Sequence, residues 1–155
     1  MYPAKRASFV KQVHLVVGVL ATALTGAAAL YGAWCWWRIR SSVWFWRLLR
    51  AGQVVVVITA VLGGVAYLVD KKSSGLHVLY GLLPLLVAFI AEQLRISSAH
   101  MILATRGFES AQEVGKLDEE EQRVIALSII QREIGVMALA ALVNLVLLLR
   151  AATTA

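Results

Sequence analysis

Charge is what this sequence has least of. Only 15% of its 155 residues are charged, against about a quarter in a water-soluble domain. Its one cysteine, Cys35, rules out an internal disulfide and any multi-cysteine metal site. No phosphate-cradling glycine loop, HExxH helix, GxSxG elbow or CxxC pair occurs. No serine, histidine and aspartate can be grouped as a nucleophile with its base. Ordinary soluble-enzyme chemistry is not visible, and there is no basis for an enzyme class.

What is there is hydrophobic: 60% of the chain. A chain so short and so apolar cannot hide its surface from water, so lipid must be its solvent. The net charge of +6 would suggest nucleic acid in a soluble protein. Here the basic residues flank apolar runs, the pattern of topology signals and headgroup contacts, and nucleic acid is not expected as a partner. The expected partners are the lipid bilayer and either a second copy of the chain or a larger membrane complex.

Four apolar stretches are expected to cross the membrane as helices, at about 13–37, 52–69, 76–95 and 132–150, each near the ~20 residues a bilayer core requires. The first follows Lys5, Arg6 and Lys11 and so resembles a signal peptide. It is too long for one, and its tryptophan-rich end is a poor cleavage site, so a retained helix is expected. The second is rich in valine and isoleucine, which favour strands in water. A lone strand in lipid leaves its backbone unpaired, so helix prevails. The third contains Pro84, which should bend it.

The connections differ. Residues 38–50 are short, basic and aromatic, and 70–75 form a polar turn. Residues 96–131 are charged yet helix-like. Asp118 with Glu121 reads as a capping box, and Glu119, Glu120 and Glu121 suit the positive end of a helix dipole. The last helix should therefore start near Glu119, while the third should run to Arg106 and stop at Gly107. Together they predict a helical hairpin with its tip at 107–117, with Val124, Leu127, Ile130 and Ile134 packed inside it. The predicted fold is all-α: one domain over residues 1–155, a four-helix transmembrane bundle running up-down-up-down, with a hairpin in the cytoplasm. The first and third loops carry the larger share of arginine and lysine, which places both termini outside the cell membrane.

All five tryptophans cluster at the first loop: Trp34, Trp36, Trp37, Trp44 and Trp46. Indoles prefer the headgroup zone, and Arg38, Arg40 and Arg47 among them can reach phosphates, so these residues are expected to anchor the membrane interface. Cys35, between them, is expected to act as a small hydrophobe.

The candidate site rests on His14 and His77. Each lies about one turn inside an apolar helix, and each is followed four residues later by a glycine, Gly18 or Gly81. The first and third helices run in the same direction, so the imidazoles should share one depth. Those helices are diagonal neighbours in the bundle, with axes roughly 12–14 Å apart given adjacent spacings of 8–10 Å. That separation suits two imidazoles on one haem iron, with the glycines leaving room for a flat macrocycle. Against this stands the plainer reading of two amphipathic interface residues. His100 lies at the opposite end and is expected to be solvated.

Gln53, Leu62-Gly63-Gly64, Tyr67, the polar turn, Leu76-His77 and Tyr80-Gly81 resemble a helix pair in four-helix haem proteins of the heme A synthase and cytochrome b type. The resemblance covers about a third of the chain. It implies haem b binding, with His77 at the family's ligand position and His14 matching only as the start of the alternate helix. Heme A synthase has two bundles and more histidines, so the synthase reaction is not implied.

Polar residues inside the apolar runs, Asn144, Thr22, Thr25 and Thr59, are expected to hydrogen-bond between helices. Glu92 with Arg132, or Arg95 with Glu133, should pair across helices. Three functions remain open: a haem-binding, cytochrome-like protein; a non-catalytic accessory or scaffold subunit of a larger complex; and a lipid- or quinone-binding membrane protein.

Overall fold

The computed structural model describes residues 3–70 and 74–154, with side chains from 8 to 68 and from 74 onward. It is helical almost throughout, with no strand among the described residues. Four long helices, α1 (Pro3–Trp37), α2 (Val43–Asp70), α3 (Gly75–Thr105) and α5 (Glu119–Thr153), are joined by short links and one four-residue helix, α4 (Ala111–Val114). All four long helices are long and apolar enough to cross a membrane. The molecule is thus an all-α, four-helix membrane bundle.

The helices alternate in direction. α1 packs along α2 and along α5, and α5 packs along α3. α2 and α3 touch only sparingly, so the bundle has one open seam. α5 is the most enclosed: 44% of its most apolar window is buried, against 11% in α2 and in α3. The main core sits toward the hairpin end, where Phe45, Ile134, Met137 and Cys35 are fully buried. Small residues let the helices approach: a Cβ on Gly52 would meet the Thr25 backbone nitrogen at 3.6 Å, and one on Gly26 would meet Leu145 at 3.4 Å.

The helix ends follow from local chemistry. Asp118 caps α5, its carboxylate accepting from the Glu121 amide at 2.8 Å, and three glutamates fill the first turn. Gly107 ends α3 at a φ of 80°, a left-handed conformation that glycine adopts without strain. The tip is as expected, with the single turn of α4 inside it. The polar turn at 70–75 lies partly outside the described residues.

Several expectations need correction. The basic, aromatic segment 38–50 is not a loop: only 38–42 link the helices, and α2 begins at Val43 rather than near Gly52. Within the hairpin Ile125 and Leu103 are buried, while Val124 and Leu127 are exposed. The packed stripe is rotated from the one expected, although Ile134 is enclosed. Glu92 pairs with neither Arg132 nor a partner on α5. It binds Arg50 on α2 and Arg95 on its own helix, and Arg132 points to the Met101 sulfur at 3.4 Å.

Candidate functional site

His14 and His77 meet. Their ring centres are 6.0 Å apart, and the rings stand edge to face with an interplanar angle of 75°. Three helices build this contact and a fourth orients it. His14 leans on α2 where there is no side chain, since a Cβ on Gly63 would come within 3.0 Å of the His14 Cε1. Ser74 caps α3 by accepting from the His77 amide at 3.1 Å, which fixes where α3 starts and hence where His77 stands. The His77 Nδ1 lies 2.9 Å from the Ala151 carbonyl. A carbonyl only accepts, so Nδ1 carries the proton of this bond, and in the neutral ring Nε2 is the nitrogen with the lone pair. Ser74 also donates to the Thr154 carbonyl at 2.7 Å. Both bonds end on carbonyls at the last turn of α5; that of Ala151 also accepts from the Thr154 amide at 3.2 Å and hydroxyl at 3.1 Å. The His14 Nδ1, by contrast, is buried with no hydrogen-bond partner among the described residues.

The two glycines differ. A Cβ on Gly81 would meet nothing within 4 Å, so the space beside His77 is open. Gly18 faces the Thr59 methyl at 3.8 Å, so it serves α1–α2 packing instead. His100 is exposed, as expected. The residues not foreseen here are Gly63 as the seat of His14 and the Ala151 carbonyl as the orienting partner. The first stood in the sequence only as part of Leu62-Gly63-Gly64. The second is a backbone atom and left no trace in side-chain pattern.

A second feature lies deeper. A cavity of about 120 Å³ is enclosed by all four long helices, lined by Thr25, Gln53, Val56, Pro84, Ala88 and Asn144 among others. Asn144 is only 7% exposed, and its Oδ1 has no hydrogen-bond partner. Thr22 and Thr59 return their hydroxyls to their own helices, to the carbonyls of Gly18 and Val55. The expected bonds between helices are therefore not formed by these residues. At one side of the cavity Gln53 donates to Glu92 at 3.3 Å, beside the Arg50–Glu92 ion pair. These contacts are the main polar link across the α2–α3 seam.

The aromatic cluster surrounds the α1–α2 link. Trp34, Trp36, Trp37 and Trp44 are exposed, and Trp46 is partly packed on the core. Arg40 lies over Trp34, Arg47 over Trp44 and Arg95 over Trp46, at 6.0, 5.3 and 5.6 Å from the ring centres. Arg38 is exposed and lines a shallow pocket with Trp34, Trp37, Ile39 and Arg40. Ile39 takes a φ of 49°, a left-handed conformation costly for a β-branched residue. Cys35 is fully buried beneath this belt.

Searches against protein-family models, curated proteins and solved structures found no match to this chain.

Proposed function

We propose that this small four-span membrane protein holds haem b between His14 and His77. The observation that carries the proposal is the imidazole contact. Two imidazoles that share one metal ion through bonds of about 2 Å have ring centres roughly 6 Å apart, and the separation here is 6.0 Å. Metal-binding histidines commonly give their second N–H to a carbonyl, which sets the tautomer and the ring direction. His77 does this with Ala151. The unpartnered Nδ1 of His14 is a buried lone pair or N–H that a ligand or a small shift must satisfy. Open space at Gly81 would receive a macrocycle edge, while Gly18 contributes only close packing. Haem b, when bound, supplies one-electron redox chemistry. The protein's part is to fix the two imidazoles at one depth and shield them with helices.

We place this site on the outer side of a cell membrane and the hairpin in the cytoplasm, because the basic residues concentrate at the hairpin end. The aromatic and basic belt around the α1–α2 link would then anchor the inner headgroup zone.

The test is the absorption spectrum of protein purified from haem-replete cells. A Soret band is expected in the wild type. His77→Ala should abolish it, and so should His77→Asn, which retains a donor for the Ala151 carbonyl. A colourless wild type would overturn the proposal. Co-purification of that colourless protein with a larger membrane complex, through the exposed Val124 and Leu127 of the hairpin, would make it an accessory subunit instead.

The lipid- or quinone-binding reading is also favoured by one observation, the cavity that holds the unpartnered Asn144.

A further inference from the structure

We propose that the cavity at Asn144 is a binding site for the ring of a lipid-soluble benzoquinol, whose apolar tail leaves through the seam between α2 and α3. The inference rests on the lipid- or quinone-binding reading and is independent of haem.

Asn144 carries the argument. A carboxamide has one acceptor oxygen and two donor hydrogens, and leaving such a group unpaired in an apolar interior is costly. Asn144 is only 7% exposed, and its Oδ1 is unsatisfied. A partner with a hydrogen to donate removes that cost. Thr25, also on the cavity wall and only 6% exposed, makes no side-chain hydrogen bond among the described residues. It offers a second polar contact.

Size and wall chemistry narrow the occupant. A volume of about 120 Å³ is in the range that admits one six-membered ring, since an apolar cavity of about 150 Å³ takes up benzene. Water is a poor filling: about four molecules would fit, and each needs two to four polar partners, where most of the wall is aliphatic. A phosphate headgroup is a poor filling too, because the nearest cation, Arg50, is held by Glu92. A ring bearing hydroxyls matches the apolar wall and, once the Asn144 side chain turns to present it, the enclosed and unpaired oxygen. The reduced form matches better than the quinone, because Oδ1 accepts and a quinone has no hydrogen to give. The sparse α2–α3 contact provides a way in from the lipid, beside the Arg50–Glu92–Gln53 link.

The experiment is a titration of the purified, detergent-solubilised protein with a decyl-tailed benzoquinol kept reduced, read by calorimetry and by thermal stabilisation. Saturable binding of about one ring per chain is expected, weaker for the quinone and absent for decylbenzene. Asn144→Leu keeps the branched heavy-atom skeleton, with some added bulk, but not the carboxamide. It should fold at least as stably as the wild type and bind about tenfold or more weakly, the worth of one hydrogen bond to a buried group. Ala88→Leu should fill the cavity and abolish binding. Equal affinity for decylbenzene, or unchanged affinity in Asn144→Leu, would overturn the proposal. Preference for a monoacylglycerol over the quinol would overturn the quinol assignment while leaving the lipid-binding reading intact. No saturable ligand in any of these titrations would remove both.

Discussion

Gly32 on α1 faces both α2 and α5 at close quarters. A Cβ there would overlap the Phe45 ring and lie 3.0 Å from the Ala138 Cβ. Phe45 is fully buried, so its ring has nowhere to turn. Gly32→Ala should therefore push the helices apart and destabilise the fold by about 1–3 kcal/mol, the usual cost of overpacking. Gly64 is the control, because a Cβ at that position meets nothing within 4 Å, and Gly64→Ala should cost no stability. Thermal unfolding of both variants in the same detergent compares them directly. Equal melting temperatures would mean that the crossing at Gly32 is looser than described. Asn144 represents the opposite case at this scale: a buried residue whose carboxamide oxygen finds no partner, which is why its removal should leave the fold unharmed.

Among the elements, α5 organises the molecule, since it packs on both α1 and α3 and its far end holds the Ala151 carbonyl that orients His77. Its near end depends on Asp118. Asp118→Ala should cost about 1 kcal/mol, felt locally as faster amide hydrogen exchange over the first turn at 119–122. The His14–His77 end, where α5 finishes about 50 Å away at 1.5 Å per residue, should be unaffected. Faster exchange at both ends would show that α5 unravels as one unit. Such end signals were legible in the sequence: the Asp118 cap, the Gly107 stop and the four apolar runs are each fixed by a few neighbouring residues. The start of α2 was not legible. Arginine and tryptophan report the depth of a segment in the membrane, not its backbone conformation, so Trp44, Trp46 and Arg47 read as a loop although they stand on a helix. The rotation of helices was equally hidden. One residue turns a helix face by 100°, so the stripe through Val124 and the one through Ile125 cannot be told apart until α3 is in place. The same limit hid the Arg50–Glu92 pair, which depends on how α2 faces α3. The two histidines were foreseeable as a pair because matching depth on parallel helices needs only counting along the chain. The contact between them needed the bundle.

At the scale of the whole molecule, the surface is a statement about surroundings. Leu15, Leu30, Leu68, Phe89 and Leu139 are each more than 60% exposed, on helices that would leave this surface to water in any soluble setting. In a membrane the remaining question is direction, for which the charge distribution makes a prediction. The α1–α2 link and the hairpin side carry Arg38, Arg40, Arg47, Arg50, Arg95, Arg106, Lys116, Arg123 and Arg132, while the other end has Lys5, Arg6, Lys11 and Arg150; Lys71 and Lys72, in the second link of the sequence, lie outside the described residues. Positive charge near the span ends is retained on the cytoplasmic side, so the hairpin should face inward and the His14–His77 end outward. Single cysteines read this directly in a Cys35→Ala background, with Gln112→Cys at the hairpin tip and Thr153→Cys at the end of α5. A membrane-impermeant maleimide applied to intact cells should label Thr153→Cys and reach Gln112→Cys only after permeabilisation. The reverse pattern would turn the bundle over. It would put the imidazole pair at the cytoplasmic face and the tryptophan belt at the outer one, and would show that the first helix, with Lys5, Arg6 and Lys11 in its opening turns, sets the direction against the larger count.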